Sequence, residues 1–370
     1  MNTRMNSSMN TLTAHHTLPV ASLHAAVRQV VAGFGSSEHE VEAVATNLIE
    51  ANLTGHDSHG IGMLPRYAQA YLEGGLKPNT HVKTLMDAGA MLRLDGDAGF
   101  GQVIGAQAMA IGIARAKQLG CCVMALGNSH HLGRIGAWAE LAAAEGLVSL
   151  HFVNVISRPI VAPYGGADAR FGTNPFTAGV PLPGRPPMIL DFATSVIAQG
   201  KTRVAHNKGE SVAPDSLIDD HGEPTLNPRY SVIEPLGAIL AFGGHKGYGM
   251  AVLCELLGGA LAASMSVHDA ASGARRVLNG MLTVLINPAA LGDKAGHERE
   301  ALAFVDWVKA SPPRAGFEAV RLAGEPERES RARRMAQGIP VDATTWQEIL
   351  AAAASLGVNP AAVQRAAGLG

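Results

Sequence analysis

The sequence predicts an α/β fold divided between two compact units. The 370 residues exceed the ~100–200 residues of a usual domain, so two cores are the default expectation. Between residues 91 and 153, short apolar segments alternate with alanine-rich stretches of helical periodicity, which is typical of an α/β region. The 43 glycines and only 5% aromatic residues favour close backbone packing and ligand-binding loops.

Charge and composition argue against several classes of partner. The chain carries 29 basic and 31 acidic residues, so nothing indicates a surface for nucleic acid or anionic membranes. No run approaches the ~18 apolar residues of a membrane span, and residues 1–17 lack the apolar segment of a secretory signal. The cysteines Cys121, Cys122 and Cys254 are not spaced as an ordinary disulfide pair, which fits a reducing compartment. We therefore expect a cytoplasmic protein without nucleic-acid or membrane partners.

The N-terminal part is predicted to be helical after a disordered tail, residues 1–17. Apolar residues recur at helical spacing from Leu23 to Phe34 and stop at Gly35. Ser37 to Glu40 has the capping-box pattern and begins a second helix that runs toward Leu53. Pro65 begins a third, short helix, and an extended polar connection follows the glycines at 74 and 75.

The middle of the chain alternates strands and helices, and the C-terminal part is again mostly helical. Residues 159–187 are rich in Gly and Pro and are predicted as loops that lead into an apolar run at 188–190, and residues 200–235 read as irregular. The predicted strands are 91–94, 121–126, 147–153 and 282–286, and the predicted helices are 103–119, 135–144, 248–263, 299–309, 326–337 and 343–355.

The sequence lacks the usual motif of a dinucleotide-binding Rossmann domain. Residues 99–105 come nearest to G-x-G-x-x-G, but the third glycine is one position late. Residues 243–247 lack the spacing and the hydroxyl residue of a Walker A loop. A nicotinamide dinucleotide, if one binds, must therefore use another fold.

Three histidine-containing segments are candidates for acid–base chemistry, because the unperturbed pKa of imidazole lies near ~6.5. Residues 56–60, His-Asp-Ser-His-Gly, follow a helix end and precede Arg66 and Tyr67; the alternative is a solvated turn. Residues 128–134 lie between a predicted strand and helix, where anions often bind; alternatively, Asn128 or Ser129 only caps the helix. Residues 243–249 combine glycines with His245 and Lys246, or form a structural turn.

A metal site is a further alternative. His56, Asp57, His59 and the pair at 130 and 131 include metal-binding residue types. However, no H-E-x-x-H or Cys/His set with metal spacing occurs in the sequence. We therefore predict no metal ligand and keep a metal-dependent hydrolase or lyase only as an alternative.

Six motifs in order together resemble the type 2 malate/L-lactate dehydrogenase family, whose members are unrelated to Rossmann dehydrogenases. One such motif would be weak, but the ordered set extends over most of the chain. Four further runs, at 51–53, 127–131, 201–205 and 307–312, narrow the resemblance to one group within the family. The six motifs are Gly55-His-Asp-Ser-His-Gly-Ile-Gly62, Asn128-Ser-His-His-Leu-Gly-Arg134, Phe171-Gly-Thr-Asn-Pro175, Asp191-Phe-Ala-Thr-Ser195, His245-Lys-Gly-Tyr248 and Leu322-Ala-Gly-Glu325.

The resemblance implies a homodimer in which a non-Rossmann, mainly antiparallel sheet domain binds NAD or NADP. It implies a cofactor-binding domain over 91–249 and a helical, dimer-forming domain built from 18–90 and 250–370. The residues that would line the cofactor are His59, Gly133, Ile189, Leu190, Asp191, Phe192, Ala193, His245, Lys246, Asn279, Gly324, Glu325, Pro326 and Glu327.

The resemblance also implies the reaction, which is reversible reduction of a 2-oxo acid to a 2-hydroxy acid. His59 would transfer the proton, His131 is a second candidate for that role, and Asp191 would orient or tune one of them. The residues expected to bind substrate are Ser58, Arg66 and Tyr67. Reduction of a cyclic 2-imino acid, or cofactor binding without turnover, are alternatives.

One position departs from the family pattern. Many relatives carry an arginine four residues after the Ser-His-Gly histidine, where this chain has Met63. A bidentate clamp on the substrate carboxylate is therefore excluded at that position, although Arg66 is close in sequence. Methionine suits an apolar substrate side chain. We therefore expect an aryl- or alkyl-substituted 2-oxo acid in preference to oxaloacetate.

Overall fold

The computed structural model describes residues 15–268 and 277–369. Within these ranges the helices are α1 Val20–Ala32, α2 Glu38–Leu53, α3 Leu64–Leu72, α4 Gly101–Leu119, α5 Gly136–Ala144, α6 Gln199–Lys208, α7 His245–Cys254, α8 Lys294–Lys309, α9 Glu325–Gln337, α10 Ala343–Ser355 and α11 Pro360–Ala366. The strands are β1 His15–Leu18, β2 Lys83–Ala88, β3 Met91–Asp95, β4 Cys121–His130, β5 Val148–Ile156, β6 Phe176–Leu182, β7 Arg185–Phe192, β8 Leu217–Ile218, β9 Pro224–Thr225, β10 Ala238–Ile239, β11 Leu278–Ile286 and β12 Ile339–Asp342.

A helical core unites the two ends of the chain. Helices α1, α2 and α3 pack with α10 and α11 around large buried side chains that include Phe34, Tyr67 and Trp346. The predicted N-cap is present, since Ser37 Oγ accepts a hydrogen bond from the Glu40 amide, but the Ser37 amide donates to Asn79 Oδ1, so the reciprocal bond of the capping box is missing. These contacts place the end of α2, and the segment after it, against the C-terminal part of the chain.

Strand β1 corrects the predicted length of the disordered tail. Residues 15–18 pair antiparallel with β12, so the tail prediction is wrong for residues 15–17. The strand was missed because four residues in a polar context carry little periodic signal, and their partner lies more than 300 positions away. Residues 1–14 lie outside the described residues.

A seven-stranded sheet forms the middle of the molecule, in the order β2-β3-β4-β11-β5-β6-β7. All neighbours are antiparallel except β3 and β4, which are parallel and joined by α4. The fold is therefore α/β with a mainly antiparallel sheet, as the resemblance implied. A second hydrophobic core lies between this sheet and helices α4 and α5.

Strand β11 corrects the domain boundary at residue 250. It follows that boundary but lies at the centre of the sheet, between β4 and β5. A local pattern cannot show this placement, because the partners of β11 lie more than 120 positions earlier in the chain. The boundary is therefore wrong for this strand, and the remaining domain division stays a prediction.

Several other elements differ from the sequence-based expectation. Strand β4 continues through His130, so residues 128–130 lie in a strand and not in a loop. The range 200–235 contains α6 and, with β10, a small three-stranded sheet, although it was expected to be irregular. Helix α7 begins at His245, three residues earlier than predicted, and continues as a π-helix over Glu255–Leu261. Among the described residues, no helix has both the length and the apolar character needed to cross a membrane.

Candidate functional site

The segment that carries His59 is held in place by a buried asparagine. It forms two short 3-10 turns between α2 and α3. The Asn52 side chain accepts a hydrogen bond from the Ile61 amide at 2.9 Å and donates one to Asp57 at 2.7 Å. A Cβ atom at Gly60 would lie 2.1 Å from Asn52 Oδ1, so glycine is required for this close approach. The segment is therefore a fixed support for His59.

An ion pair joins the same segment to α9. Both guanidinium nitrogens of Arg334 contact the Asp57 carboxylate, at 2.6 and 3.0 Å. Three positions earlier in α9, Arg331 makes a similar bidentate contact with Glu50 of α2. Asp57, which the metal alternative included as a possible ligand, thus forms a structural ion pair with Arg334.

His59 lies in a partly exposed site beside His131 and Asp191. Its side chain is only half-buried, although protein atoms surround it on most sides. Ser58 Oγ lies 2.9 Å from His59 Nδ1. Burial lowers the pKa of His59 to about 4, and the positive fields of His56 and Arg134 act in the same direction, whereas Asp191 opposes them. At neutral pH the imidazole is therefore neutral in the free protein.

His131 follows the last residue of β4 and faces His59. The two rings are nearly parallel, at 20°, with centroids 5.6 Å apart. The Tyr67 hydroxyl lies 2.7 Å from His131 Nδ1, and Gln102 donates a hydrogen bond to the same hydroxyl at 2.9 Å. Burial and the nearby histidines lower the pKa of His131 well below its usual value. Residues from α3, α4 and β4 thus meet at one imidazole.

Asp191, on strand β7, places a negative charge close to His59. Its carboxylate accepts hydrogen bonds from Thr177 Oγ1 and from the Gly136 amide at the start of α5, both at 2.7 Å. A helix N-terminus stabilises an ionised carboxylate. A Cβ atom at Gly136 would lie 2.6 Å from Arg134 Nη1 and 2.8 Å from Asp191 Oδ2, so this glycine lets the two charged groups approach each other.

The expected cofactor residues of β7 and α9 lie together. The Ile189 amide donates a hydrogen bond to the Ala323 carbonyl at 3.2 Å, beside Gly324, the N-cap of α9. Leu190 also lies on β7, and Glu325, Pro326 and Glu327 form the first turn of α9. Glu327 is 3.6 Å from His56 Nε2, and this contact lowers the pKa of the Glu327 carboxyl.

The other expected cofactor residues reach the site from β11 and α7. Asn279 accepts a hydrogen bond from the Leu132 amide at 2.8 Å, between His131 and Gly133. His245 and Lys246 form the first turn of α7 and connect to the site less directly. Their segment is linked to the end of β7, where the rings of Phe242 and Phe192 pack edge to face and Ala193 follows.

The predicted substrate residues have different environments. Tyr67 is fully buried against His131, whereas Ser58 and Arg66 are exposed. Partial burial and the nearby Arg158 lower the pKa of Arg66, and Arg66 in turn lowers that of His131. Met63 is half-buried and packs against the helical core. Arg66 is therefore a cation close to the histidine pair, and the side chain of Met63 contributes to packing.

Two surface cavities lie away from the histidine pair. One is lined by residues that include Arg158, Tyr230 and Ile239, and the other by residues that include His206 and Asn227. Neither is lined by His59 or His131. Within residues 15–268 and 277–369, no group of three or more His, Cys, Asp or Glu side chains is arranged to hold a metal ion. The metal-dependent alternative therefore gains no support from the arrangement of these side chains.

Sequence reasoning missed three residues that shape this site. Asn52 positions the His59 segment, and Gln102 donates a hydrogen bond to Tyr67. The buried Arg134 forms an ion pair with Glu140 at 2.5 Å and lowers the pKa of His59. Asn52 and Gln102 lie within helical patterns and carry no local signal of their role. Arg134 does end the motif at 128–134, but its partners come from other elements.

Comparison with known proteins identifies the family. A family model described as malate/L-lactate dehydrogenase matches residues 18–350. The chain belongs to this family. The resemblance that the six ordered motifs indicated is therefore confirmed.

Relatives within the family are similar over nearly their whole length. Hydroxycarboxylate dehydrogenase B of Escherichia coli strain K12, the group to which the four further runs point, is 47% identical over 94% of this chain and 97% of the relative. An L-lactate dehydrogenase of Cupriavidus necator is 39% identical over 85% of this chain and 90% of the relative.

Solved structures of the family share the fold. A structure described as a putative malate/lactate dehydrogenase from E. coli superposes with a TM-score of 0.91 at 47% identity, over 95% of this chain and 98% of that one. The delta1-piperideine-2-carboxylate reductase of Pseudomonas syringae superposes with a TM-score of 0.75 at 29% identity, over 91% and 99%. The architecture of this chain is thus the one that malate/L-lactate dehydrogenases share.

Proposed function

We propose that this chain catalyses the reversible, NAD(P)H-dependent reduction of a 2-oxo acid to the corresponding 2-hydroxy acid. Family membership and relatives named as hydroxycarboxylate and lactate dehydrogenases support an oxidoreductase of this class. The single observation that carries the assignment is the pair of facing imidazoles, His59 and His131, each with a different hydrogen-bond partner at Nδ1.

The two partners assign different roles to the histidines. The Tyr67 oxygen accepts a hydrogen bond from Gln102, and we propose that the Tyr67 hydroxyl donates its own hydrogen to His131 Nδ1. His131 then carries its proton on Nε2 and acts as a neutral hydrogen-bond donor to a substrate oxygen. His59 can donate its Nδ1 proton to Ser58, which leaves Nε2 free to accept a proton. We therefore assign proton transfer to His59.

The charges around His59 suit a group that gains and loses a proton during turnover. In oxidation, neutral His59 takes the hydroxyl proton of the 2-hydroxy acid at Nε2, and Asp191 stabilises the resulting imidazolium. In reduction, the same proton returns to the oxygen of the 2-oxo acid. A bound substrate carboxylate favours the protonated form in addition, because it brings negative charge close to the ring.

Residues of β7, β11, α7 and α9 would hold the nicotinamide cofactor. Glu327 Oε2 is buried and has no hydrogen-bond partner among the described residues, which fits an acceptor for a ligand hydroxyl. The set is Gly133, Ile189 to Ala193, His245, Lys246, Asn279 and Gly324 to Glu327. When bound, the nicotinamide supplies or accepts the hydride at the carbonyl carbon.

Arg66 is the proposed partner of the substrate carboxylate. It lies on the exposed face of α3, and its positive charge reaches His131. Since Met63 replaces the arginine found in many relatives, we propose a substrate with an aryl or alkyl side chain.

The test is an absorbance assay with purified protein. NADH and NADPH are each mixed with a panel of 2-oxo acids that includes pyruvate, oxaloacetate and phenylpyruvate, and oxidation is followed at the nicotinamide band. We expect turnover of at least one 2-oxo acid, with apolar side chains preferred over oxaloacetate. Absence of turnover and of cofactor binding would refute the proposal.

Reduction of a cyclic 2-imino acid is the second candidate. It is favoured by the similarity to a delta1-piperideine-2-carboxylate reductase. A cyclic imino acid added to the same panel separates the two functions. A kcat/KM for the imino acid above that of every 2-oxo acid would assign the chain to imine reduction.

We also propose a cytoplasmic homodimer. The three cysteines are free thiols, and Cys121 is exposed, which suits a reducing compartment. Leu253, Leu256 and Leu261 are large exposed apolar side chains on α7 and the π-helix that follows it, and they suit a subunit contact. Light scattering coupled to size-exclusion chromatography tests the mass, with Leu256→Glu expected to weaken the dimer.

A further inference from the structure

A row of four polar side chains crosses the sheet from its centre to its last strand. Thr283 on β11 is directly opposite His151 on β5, His151 is opposite Thr177 on β6, and Thr177 is opposite Asp191 on β7. Directly paired residues of antiparallel strands place their side chains on the same face. The four residues therefore form a continuous line that ends at the carboxylate beside His59.

This row is buried and only partly hydrogen-bonded. Thr283, His151 and Thr177 are each 0% exposed. Thr283 Oγ1 lies 3.0 Å from His151 Nδ1, and Thr177 donates to Asp191 at 2.7 Å. His151 Nε2 has no hydrogen-bond partner among the described residues, although Thr177 is the directly paired residue on β6. Since an unpaired buried polar atom is costly, its position beside Thr177 needs an explanation.

The direction of the hydrogen bonds provides that explanation. The Thr177 hydroxyl donates its hydrogen bond to the Asp191 carboxylate, so the Thr177 oxygen can only accept a hydrogen bond from another neighbour. His151 can complement these lone pairs only if Nε2 carries the proton. Nδ1 must then accept the hydrogen of the Thr283 hydroxyl. One tautomer thus points the Nε2–H group of His151, together with the hydrogen bond on each side of it, toward Asp191.

We propose that His151 is a positioning residue that acts on His59 through Thr177 and Asp191, by holding the Asp191 carboxylate in place against the Gly136 amide. The inference rests on the proposed function, since it concerns the proton-transfer residue of that reaction. His151 remains buried within the sheet and touches neither substrate nor cofactor in this role.

The charges that face His59 predict the direction of the effect. His56 and Arg134 lower the pKa of His59, His131 stacks on it, and Asp191 is the group that raises it. On α9, Glu327 lies 3.6 Å from His56 Nε2. Burial lowers the pKa of His151 to about 4 against the opposing field of Asp191, so His151 is neutral near pH 7. A loosened Asp191 should therefore lower the proton affinity of His59.

Three variants test this proposal. His151→Leu removes both ring nitrogens, and His151→Gln keeps one acceptor and one donor. Ser149→Ala is the matched control, because Ser149 is buried on the same strand and face but lies opposite Gly179 in the neighbouring row. For reduction of the 2-oxo acid, we expect His151→Leu to lower the apparent pKa of kcat by roughly half a unit or more. kcat at pH 7 should fall about threefold to tenfold.

Further readouts separate positioning from simple packing. KM and the cofactor dissociation constant should stay within about twofold of wild type in His151→Leu. His151→Gln should restore most of kcat and the pH profile, and Ser149→Ala should change neither. A His151→Leu variant that loses stability but keeps the wild-type pH profile would overturn the proposal, because His151 would then be a packing residue only.

Nitrogen-15 NMR of histidine-labelled wild-type protein tests the tautomer without turnover. The His151 signal is assigned by its loss in His151→Gln. We expect a proton on Nε2, whereas a proton on Nδ1 would overturn the proposal even if His151→Leu does not fold. NMR titration of His59 in the free protein gives its pKa directly. If the wild type reduces no 2-oxo acid, the proposed function fails, while these NMR results still decide the role of His151.

Discussion

At the residue scale, His59 and His131 differ in the hydrogen bond that each makes at Nδ1. Ser58 can accept a hydrogen bond from His59 Nδ1, whereas Tyr67, itself bonded to Gln102, can donate one to His131 Nδ1. If Nδ1 of a neutral imidazole accepts a hydrogen bond, Nε2 carries the proton and therefore cannot act as the base. This difference supports the assignment of proton transfer to His59, which the resemblance already named ahead of His131.

The first prediction concerns His59. Replacement His59→Gln should reduce kcat by about 10²–10⁴-fold, as is usual for general acid–base groups, because no other imidazole has a free Nε2 at this position. Cofactor affinity should change little, and it is measured by fluorescence titration. His39→Gln, an exposed histidine on α2, is the matched control and should behave as wild type. An unchanged kcat in His59→Gln would transfer the proton role to His131.

The second prediction concerns Tyr67. Tyr67→Phe keeps the buried ring but removes the donor to His131 Nδ1, so the tautomer of His131 is no longer fixed. We expect kcat to fall by roughly tenfold or more, with a smaller change in cofactor affinity. Tyr71→Phe, one turn later on α3 and packed against Phe34, should retain activity. Equal activity of the two variants would remove Tyr67 from the site.

Residue-scale prediction from the sequence worked where a motif is contiguous. The motifs contain His59, His131 and Asp191, and the structure places the three close together. Their catalytic roles stay proposals. Gln102 and Asn52 were not predicted, because a polar residue on a helix face has the same local pattern whether it is solvated or hydrogen-bonded to a residue from another element. Their partners are set by the packing of α2, α3 and α4.

At the element scale, the short segment between α2 and α3 fixes the geometry of His59. The third prediction follows from its packing. Gly60→Ala should clash with Asn52 and destabilise the fold by about 1–3 kcal/mol, and kcat should fall because His59 is displaced. Thermal unfolding and steady-state kinetics measure the two effects.

The same segment offers a matched control. At Gly62, the nearest atom to a new Cβ is a methyl group of Thr345 at 3.7 Å, which is ordinary contact. Gly62→Ala should therefore be close to wild type in both measurements. If Gly60→Ala were equally mild, Asn52 would not be the rigid support described above.

Long-range pairing explains which elements the sequence could not predict. Helices α1, α2 and α10 were predicted close to their observed bounds, since their apolar faces repeat locally. The central position of β11 and the pairing of β1 with β12 depend on residues far away in the chain. The mainly antiparallel sheet came from family resemblance, because alternation of strands and helices alone would have favoured a parallel one.

At the scale of the whole molecule, neutral histidines link stability to pH. Burial lowers the pKa of His151 to about 4, and the pKa values of His59 and His131 are lowered as well. In the unfolded chain the same groups titrate near ~6.5. Between these values the unfolded state binds more protons, so the free energy of unfolding falls as the pH falls.

The fourth prediction is therefore a loss of stability on acidification from about pH 6.5 toward pH 4. His151, which is fully buried, should contribute about 3 kcal/mol of this loss, since one pKa unit corresponds to ~1.4 kcal/mol. The contact with His56 lowers the pKa of the Glu327 carboxyl, so protonation of this group on further acidification acts in the same direction. Urea unfolding at several pH values measures the slope. A free energy of unfolding that is flat over this range would contradict the neutral state of these histidines.

The most direct test of the central claim follows the hydride and depends on His59. Reduced nicotinamide cofactor with deuterium at both positions of C4 is incubated with the best 2-oxo acid, and the product is examined by NMR and mass spectrometry. We predict a 2-hydroxy acid with deuterium at C2 from wild type and His39→Gln, and almost none from His59→Gln in the same time. Product without deuterium, or equal product from His59→Gln, would contradict it.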